Sequence, residues 1–143
     1  MMMMAFAMSG VAQEEERKKE VAAADVPAAV VATMKEKYPD RKVEKWKLKK
    51  ETYAAKCEVS GRKCEVFIKA DGSWKRTDTR IGKKALPEKA LAHVKSTYPG
   101  YEIKWIEKRE KPKSTTYRVR VKKGDTKALV KFDKDGNLKE KKD

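Results

Sequence analysis

The stretch VPAAVVATMKEKYPD at residues 26–40 returns 60 positions later as LPEKALAHVKSTYPG at residues 86–100. Both copies begin with an apolar residue before proline and end on Tyr-Pro followed by a turn residue. Further landmarks follow in the same order at an offset of 64, and they are Tyr53 and Tyr117, Val66 and Val130, Ile68 and Phe132, and the Asp-Gly pairs at 71–72 and 135–136. Ordered landmarks at nearly constant spacing indicate an internal duplication.

Each copy opens with a pattern typical of an amphipathic helix. Val26, Val30 and Met34 fall on one face of a helix with 3.6 residues per turn. Pro27 suits the first helical position, where its missing N–H would be unpaired anyway, and Pro39 marks the end of the helix. The second copy repeats this pattern with Leu86, Ala90, Leu91, Val94 and Tyr98. The sequence therefore predicts one helix at the start of each copy.

Strands follow each predicted helix, because apolar residues then alternate with polar ones. The alternating runs are 53–59 and 64–68 in the first copy and 101–105, 117–121 and 128–132 in the second. Residues that accept positive φ mark hairpin turns at 60–61, 71–72, 124–125 and 135–136. The sequence predicts an α+β fold of two tandem repeats, 25–82 and 83–143, each with one helix plus a four-stranded antiparallel sheet. We expect the two sheets to join and both helices to lie on one face.

A tryptophan serves as a further landmark in each copy. Trp46 follows Val43 by three positions, whereas Trp105 follows Ile103 by two. Matching the two tryptophans requires one extra residue in the first copy, and a β-bulge there would absorb it. We interpret Trp46, Trp74 and Trp105 as core or edge packing rather than as surfaces on which a ligand stacks.

The charge of the chain bounds its partners. Charged residues make up 41% of the 143 residues, and the formal net charge is +15. Such a field attracts polyanions, acidic proteins and anionic lipid surfaces. Nucleic acid is a less favoured partner, because the sequence has no Arg-rich run and no aromatic signature of an RNA-binding sheet. The alternative is that lysines on exposed strands keep the protein soluble and have no partner.

The N-terminus predicts export from the cytoplasm. The apolar run Met1–Met8 is followed by Gly10 and Ala12, which suit the −3 and −1 positions of a signal-peptidase cut before Gln13. The run is too short to span a bilayer, which takes about 20 residues. Because a basic n-region is missing, we interpret residues 1–12 as a truncated signal peptide, with the absence of any signal as the alternative. Residues 13–24 then form a charged leader of transient helical character, and the protein is periplasmic or secreted.

The quoted landmarks resemble those of a known family. The order Val-Pro, Tyr-Pro-Asp, Val-x-x-Trp, Tyr and Asp-Gly-x-Trp, followed by a weaker second copy, is similar to the PepSY-like proteins of Bacteroidetes-type bacteria, also called beta-lactamase-inhibitor-like proteins. The resemblance covers residues 25–140 and implies tandem helix-plus-four-strand repeats, an envelope location and no known enzymatic activity. The related beta-lactamase inhibitor protein binds its target with its concave sheet face. None of those contacts maps onto residues of this sequence, and fold does not fix function.

The two cysteines lie on either side of a predicted hairpin. Counting outward from Ser60 and Gly61 places Cys57 opposite Cys64, with both thiols on the apolar side of the sheet. An oxidising periplasm favours a cross-strand disulfide, although a directly hydrogen-bonded pair holds the Cα atoms near the limit for bridging. Two buried free thiols are the alternative. Two cysteines without a neighbouring histidine do not make a zinc site.

The sequence predicts no catalytic residues, no metal and no cofactor. His93 is the single histidine, and no G-x-S-x-G motif accompanies it. The segment 133–137 resembles a calcium-binding loop only superficially, because its glycine falls two places early and no glutamate follows at the required position. We therefore predict a binding protein rather than an enzyme.

The candidate binding residues lie on the solvent side of the predicted sheet. If Tyr117, Val119 and Val121 face the helices, the intervening side chains face away and join basic residues of the next strand. The predicted binding residues are Arg118, Arg120, Lys122, Lys127 and Lys131, together with an exposed Phe67 in the first copy. Such a face suits docking of a protein or an anionic envelope component. The alternative function is that of a cytoplasmic nucleic-acid-binding protein.

Overall fold

A computed structural model describes residues 19–142 of the chain. The predicted signal peptide and the first part of the leader lie outside the described residues. The described part contains two α-helices, α1 (Ala28–Lys37) and α2 (Glu88–Thr97). It also contains nine strands, which are β1 (Lys19–Val21), β2 (Lys45–Lys49), β3 (Thr52–Val59), β4 (Arg62–Lys69), β5 (Trp74–Ile81), β6 (Glu102–Lys111), β7 (Ser114–Lys123), β8 (Thr126–Asp133) and β9 (Leu138–Lys142).

The strands form one sheet in which they follow one another in sequence order from β1 to β9. Neighbouring strands run antiparallel, as between β6 and β7 and between β7 and β8. This confirms the predicted α+β class, and each helix is followed along the chain by four strands. The sheet has nine strands rather than two sets of four, because the leader contributes β1.

The described end of the leader, for which transient helical character is predicted, forms a strand and then a short 3-10 helix, Ala23–Asp25. Residues Lys19–Val21 form β1, which pairs with β2 so that Val21 lies opposite Trp46. Val21 is half-buried there. A polar segment that is helical only transiently in isolation becomes a strand when the edge of a sheet offers it hydrogen-bond partners.

Contacts divide the described chain into two compact units. The first unit comprises residues 19–59 and 65–75, and the second comprises 60–64 and 76–142. The division passes through β4 and assigns residues 76–81 of β5 to the second unit. The repeat boundary between residues 82 and 83 stays a prediction.

In the first unit α1 begins directly after Pro27 and ends where the Tyr38 amide donates to the Met34 carbonyl over 2.8 Å. Its buried residues, Val30 and Met34, belong to the face that the periodicity predicts. The turn after β4 contacts the helix, since the Thr33 hydroxyl donates to the Gly72 carbonyl over 2.6 Å. The hydrogen bond between Thr33 and Gly72 therefore connects α1 to the turn after β4.

In the second unit α2 covers a core cluster. Its members are buried residues of α2 and of strands β6 to β8 together with Leu86 and Tyr98, and they include Ala90, Val94, Ile106, Val119, Val130 and Phe132. The turn between β8 and β9 supports the start of α2, because a Cβ at Gly136 would lie 3.1 Å from the Ala90 amide nitrogen and from Pro87 Cβ. Gly136 also has a φ of +89°. Both the conformation and the close approach require glycine.

The strand register corrects the predicted match of the two tryptophans. Trp46 pairs with Ala55, and at an offset of 64 Ala55 corresponds to Val119, which pairs with Ile106. The counterpart of Trp46 is therefore Ile106 rather than Trp105. A register shift between Ile103 and Trp105 turns Trp105 away from the core cluster. The irregularity lies in β6 of the second copy, so the expectation of an extra residue in the first copy is wrong.

Candidate binding face on the second unit

The face of β5 to β8 that points away from the core cluster of the second unit is here called the open face. Its strands are held in place by the apolar side chains on their other face, so its polar side chains need no core role. The register brings predicted binding residues together there, since Arg118 lies opposite Lys131 and Lys122 lies opposite Lys127. Arg120 pairs with Leu129, which is 8% exposed. Lys122 and Lys127 are exposed, and Arg118, Arg120 and Lys131 are half-buried.

Phe67, which was expected to be exposed, is buried with 6% of its surface accessible. It lies in β4, a strand with a neighbour on each side in the sheet. Alternation assigns a side chain to a face, but it does not determine how far adjacent strands cover that face. Phe67 is therefore removed from the candidate binding residues.

Two carboxylates that the sequence reasoning missed lie among the arginines of the open face. Asp78 of β5 is 8% exposed and accepts two hydrogen bonds from Arg109, from Nε to Oδ1 at 2.9 Å and from Nη2 to Oδ2 at 3.0 Å. Arg76 Nε donates to the same Asp78 Oδ2 at 3.2 Å. Parallel hydrogen bonds of this kind fix the guanidinium plane. Arg109 is thus held in one orientation across β5 and β6.

Glu107 of β6 is the second carboxylate. Its Oε1 accepts a hydrogen bond from Arg118 Nη1 at 3.0 Å, and its Oε2 lies 3.7 Å from Arg80 Nε. Burial, and next the charge of Asp78, raise the pKa of Glu107, while the neighbouring arginines act in the opposite direction. Burial likewise lowers the pKa of the Arg118 guanidinium. The open face is therefore an ionic network with an excess of arginine, rather than a purely basic surface.

Trp105 lies among three of these arginines. The guanidinium carbon of Arg80 is 4.4 Å from the centre of the Trp105 ring system, and those of Arg118 and Arg120 lie at 5.7 and 5.8 Å. Distances below about 6 Å allow a cation–π attraction. Trp105 pairs with Arg120, and it is half-buried rather than part of the core cluster. The open face thus presents an aromatic ring with guanidinium groups on several sides.

The predicted cysteine hairpin has the expected turn. β3 ends at Val59 and β4 begins at Arg62, and the two residues between them, Ser60 and Gly61, have φ values of 53° and 77°. Positive φ at both positions is typical of a type I′ hairpin turn. Cys57 and Cys64 are both buried, and the Cys64 Sγ lies 3.7 Å from the Thr79 hydroxyl. The disulfide stays a prediction.

His93 lies at the boundary of the core, half-buried, with its ring 5.6 Å from that of Phe132 in an edge-to-face arrangement. Its Nε2 is 3.4 Å from the Thr97 hydroxyl on the next turn of α2. Within residues 19–142 no three histidine, cysteine, aspartate or glutamate side chains come together as a metal site. Neither helix in this part of the chain has the length and apolar character needed to cross a membrane.

Comparison with known proteins identifies the family. The sequence profile of the family described as "Putative beta-lactamase-inhibitor-like, PepSY-like" matches residues 3–68 and 51–140 in two overlapping segments. The chain belongs to this PepSY-like, beta-lactamase-inhibitor-like family, as the spaced landmarks of the sequence indicate. No curated protein matches the chain.

Solved structures of similar fold come from species of Bacteroides. A BLIP-like protein from Bacteroides fragilis is 31% identical, with a TM-score of 0.73 over 82% of this chain and 86% of that one. A DUF2874 family protein from Bacteroides uniformis is 23% identical, with a TM-score of 0.72 over 81% and 88% of the two chains. A protein from Bacteroides eggerthii, described as "putative periplasmic", is 17% identical, with a TM-score of 0.74 over 82% and 88%.

Proposed function

We propose that this protein is a non-enzymatic envelope protein that docks an acidic protein or another anionic envelope component on the open face of its second unit. The chain is periplasmic or secreted, which is where such a partner would be met. The observation that carries the proposal is Trp105 surrounded by Arg80, Arg118 and Arg120 beside a row of lysines. Tryptophan and arginine are the residue types that most often dominate the binding energy of protein interfaces.

The docking residues form two groups that differ in exposure and in ion pairing. Lys122 and Lys127 are exposed and lie opposite each other, so they act mainly on the rate of association through their field. Arg118 is partly committed to Glu107, so its role is to hold the network and flank Trp105. Arg120 and Lys131 complete the basic rows of β7 and β8. The beta-lactamase inhibitor protein likewise binds through a sheet face, which supports the mode of binding but does not identify a partner.

The function is tested by reversing charges on the open face without disturbing its ionic network. The double variant Lys122→Glu with Lys127→Glu changes two exposed side chains. Reversing the charge of Arg118 would instead place a second carboxylate beside Glu107. The matched control is Lys84→Glu with Lys134→Glu, which has the same net charge and changes exposed lysines elsewhere in the second unit. Each tagged protein is used to capture partners from a periplasmic extract.

We expect the open-face variant to lose most of the captured partner and the control to keep it. Capture by the wild type should also fall with salt, since the screening length shrinks from about 10 Å at 0.1 M to about 3 Å at 1 M. Equal capture by wild type and both variants would refute docking on this face. Nuclease treatment separates the alternative function, because a cytoplasmic nucleic-acid-binding protein would lose its captured material on digestion.

The arrangement of both helices on one face of the joined sheet stays a prediction.

A further inference from the structure

A pocket of about 340 Å³ lies on the open face near the hairpin that joins β6 and β7. Its lining residues come from β6 to β9 of the second unit, and they are Arg109, Lys111, Thr116, Arg118, Lys131 and Lys139. Five of these six side chains carry a positive charge, and the sixth carries a hydroxyl. A pocket of this volume falls in the range that small-molecule ligands occupy.

The register explains why five cations meet at this place. Arg118 and Lys131 are opposite each other on β7 and β8, and Thr116 lies opposite Arg109 on β6. Between β8 and β9 the register shifts, because Lys131 pairs with Glu140 but Phe132 pairs with Leu138. The intervening Lys139 has no Cα partner on β8 and lines the pocket instead.

Two of the cations are oriented before any ligand arrives. Arg109 is fixed by its paired hydrogen bonds to Asp78, and Arg118 by its bond to Glu107. Arg118 Nε is buried and has no hydrogen-bond partner among the described residues. A ligand oxygen that accepts a hydrogen bond from this N–H would recover the free energy that the missing acceptor costs. Donors held in place in this way lose little entropy on binding.

The charge balance of the pocket favours a multiply charged anion. Five of its six lining side chains are cations and none is a carboxylate, since Asp78 and Glu107, which pair with Arg109 and Arg118, do not line it. A guanidinium presents parallel N–H donors that match two oxygens of a phosphate, while lysine ammonium groups approach it as point charges. A phosphate group occupies only part of 340 Å³, so the pocket has room for the group that carries it.

We propose that this pocket binds the phosphate group of a phosphorylated sugar or a similar small phosphate monoester. The inference rests on the proposed function in that both use the open face, and it names the chemistry that one end of that face recognises. Arg109 and Arg118 supply the oriented donors, Thr116 its hydroxyl, and the three lysines close the field around the anion.

The test uses isothermal titration calorimetry at one fixed salt concentration. The pocket variant is Lys111→Gln with Lys139→Gln, because both side chains are exposed and neither belongs to the ionic network. The control is Lys122→Gln with Lys127→Gln, which removes the same charge from the same face but outside the pocket. The probes are glucose 6-phosphate, inorganic phosphate and glucose.

We expect saturable binding of glucose 6-phosphate by the wild type, at least about tenfold weaker binding by the pocket variant, and a change below about twofold in the control. Inorganic phosphate binding as tightly as glucose 6-phosphate would overturn the assignment to a monoester and leave a site for the free ion. The proposal is also overturned if glucose 6-phosphate fails to saturate the wild type, or if both variants weaken equally. Equal partner capture by the wild type and the open-face charge-reversal variant, together with intact glucose 6-phosphate binding, would defeat the docking function alone.

Discussion

The two copies differ in the strand that follows the helix, β2 in the first copy and β6 in the second, because its tryptophan lies on a different face of the sheet. In the first copy Trp46 fills the core and is 7% exposed, opposite Ala55. In the second copy its counterpart in the core is Ile106, which is 3% exposed, and Trp105 points to the other face. The tryptophan of the second copy thus lies one position before the core position, and it alternates to the opposite face from Ile106. The comparison teaches that a shift of one position along a strand is enough to move a tryptophan from the core to the opposite face of the sheet.

The junction of helix and turn, by contrast, is the same in both copies. Gly72 and Gly136 have φ values of +95° and +89°, and a Cβ on either would lie 3.1 Å from backbone atoms of its helix. One aspartate near each of these glycines accepts a backbone N–H group. Asp71 accepts from Ser73, and Asp133 accepts from Asn137. Duplication therefore preserved the contact that sets the helix on the sheet.

The largest effect is expected at the two tryptophans. Trp46→Ala should lower the free energy of unfolding by about 3 to 5 kcal/mol, because it empties a buried site. Trp105→Ala should cost only about 1 to 2 kcal/mol, since it loses partial burial and cation–π contacts. Urea unfolding followed by circular dichroism measures both values. Similar losses for the two variants would break the comparison and place Trp105 in the core.

The next effect concerns the glycines of the two turns. Gly72→Ala and Gly136→Ala should each lose about 2 to 4 kcal/mol of stability, because a methyl group adds a backbone contact to a positive φ. The matched control is Gly124→Ala, where φ is +61° and no atom lies within 4 Å of the added Cβ. That variant should lose only about 1 to 2 kcal/mol. Thermal unfolding measures the three losses of stability. If Gly124→Ala lost as much stability as Gly72→Ala and Gly136→Ala, the shared junction of helix and turn would be contradicted.

The smallest effect is the pH dependence that Glu107 adds to the second unit. Because its folded pKa is raised above the ordinary 4.5, the folded state binds more protons than the unfolded state between these two values. The contribution of this group to stability is therefore greatest at low pH and falls as pH rises through the window that begins near 4.5. Glu107→Gln should remove that fall.

The measurement for Glu107 is urea unfolding of wild type and Glu107→Gln between about pH 4 and pH 7. The difference in stability between the wild type and the variant should change steadily in favour of the variant as pH rises. A difference that moves the other way would mean that the ion pairs with Arg118 and Arg80 lower the pKa of this carboxyl. Glu107 would then gain more from its arginine partners than it loses by burial.

Local pattern predicted much of the fold. The helices end before Pro39 and Pro99, the turns fall at the glycines, and Val119, Val121, Val130 and the intervening arginines lie on the faces that alternation assigns. These features depend on residues within one turn or one strand, where the period of the side chains is fixed by the backbone geometry. The family landmarks are of the same local kind.

Other features required the tertiary structure. Whether Phe67 is covered depends on neighbouring strands, and alternation within β4 does not contain that information.

What the sequence by itself determined, then, is the duplication, the α+β class and the side on which the basic residues of β7 and β8 lie. Only the tertiary structure decided that Trp105 joins them, that Asp78 and Glu107 hold their arginine neighbours, and that five cations line one pocket. The physical reason is that register and ion pairing are set by residues on different strands. Their energies appear only when the strands meet.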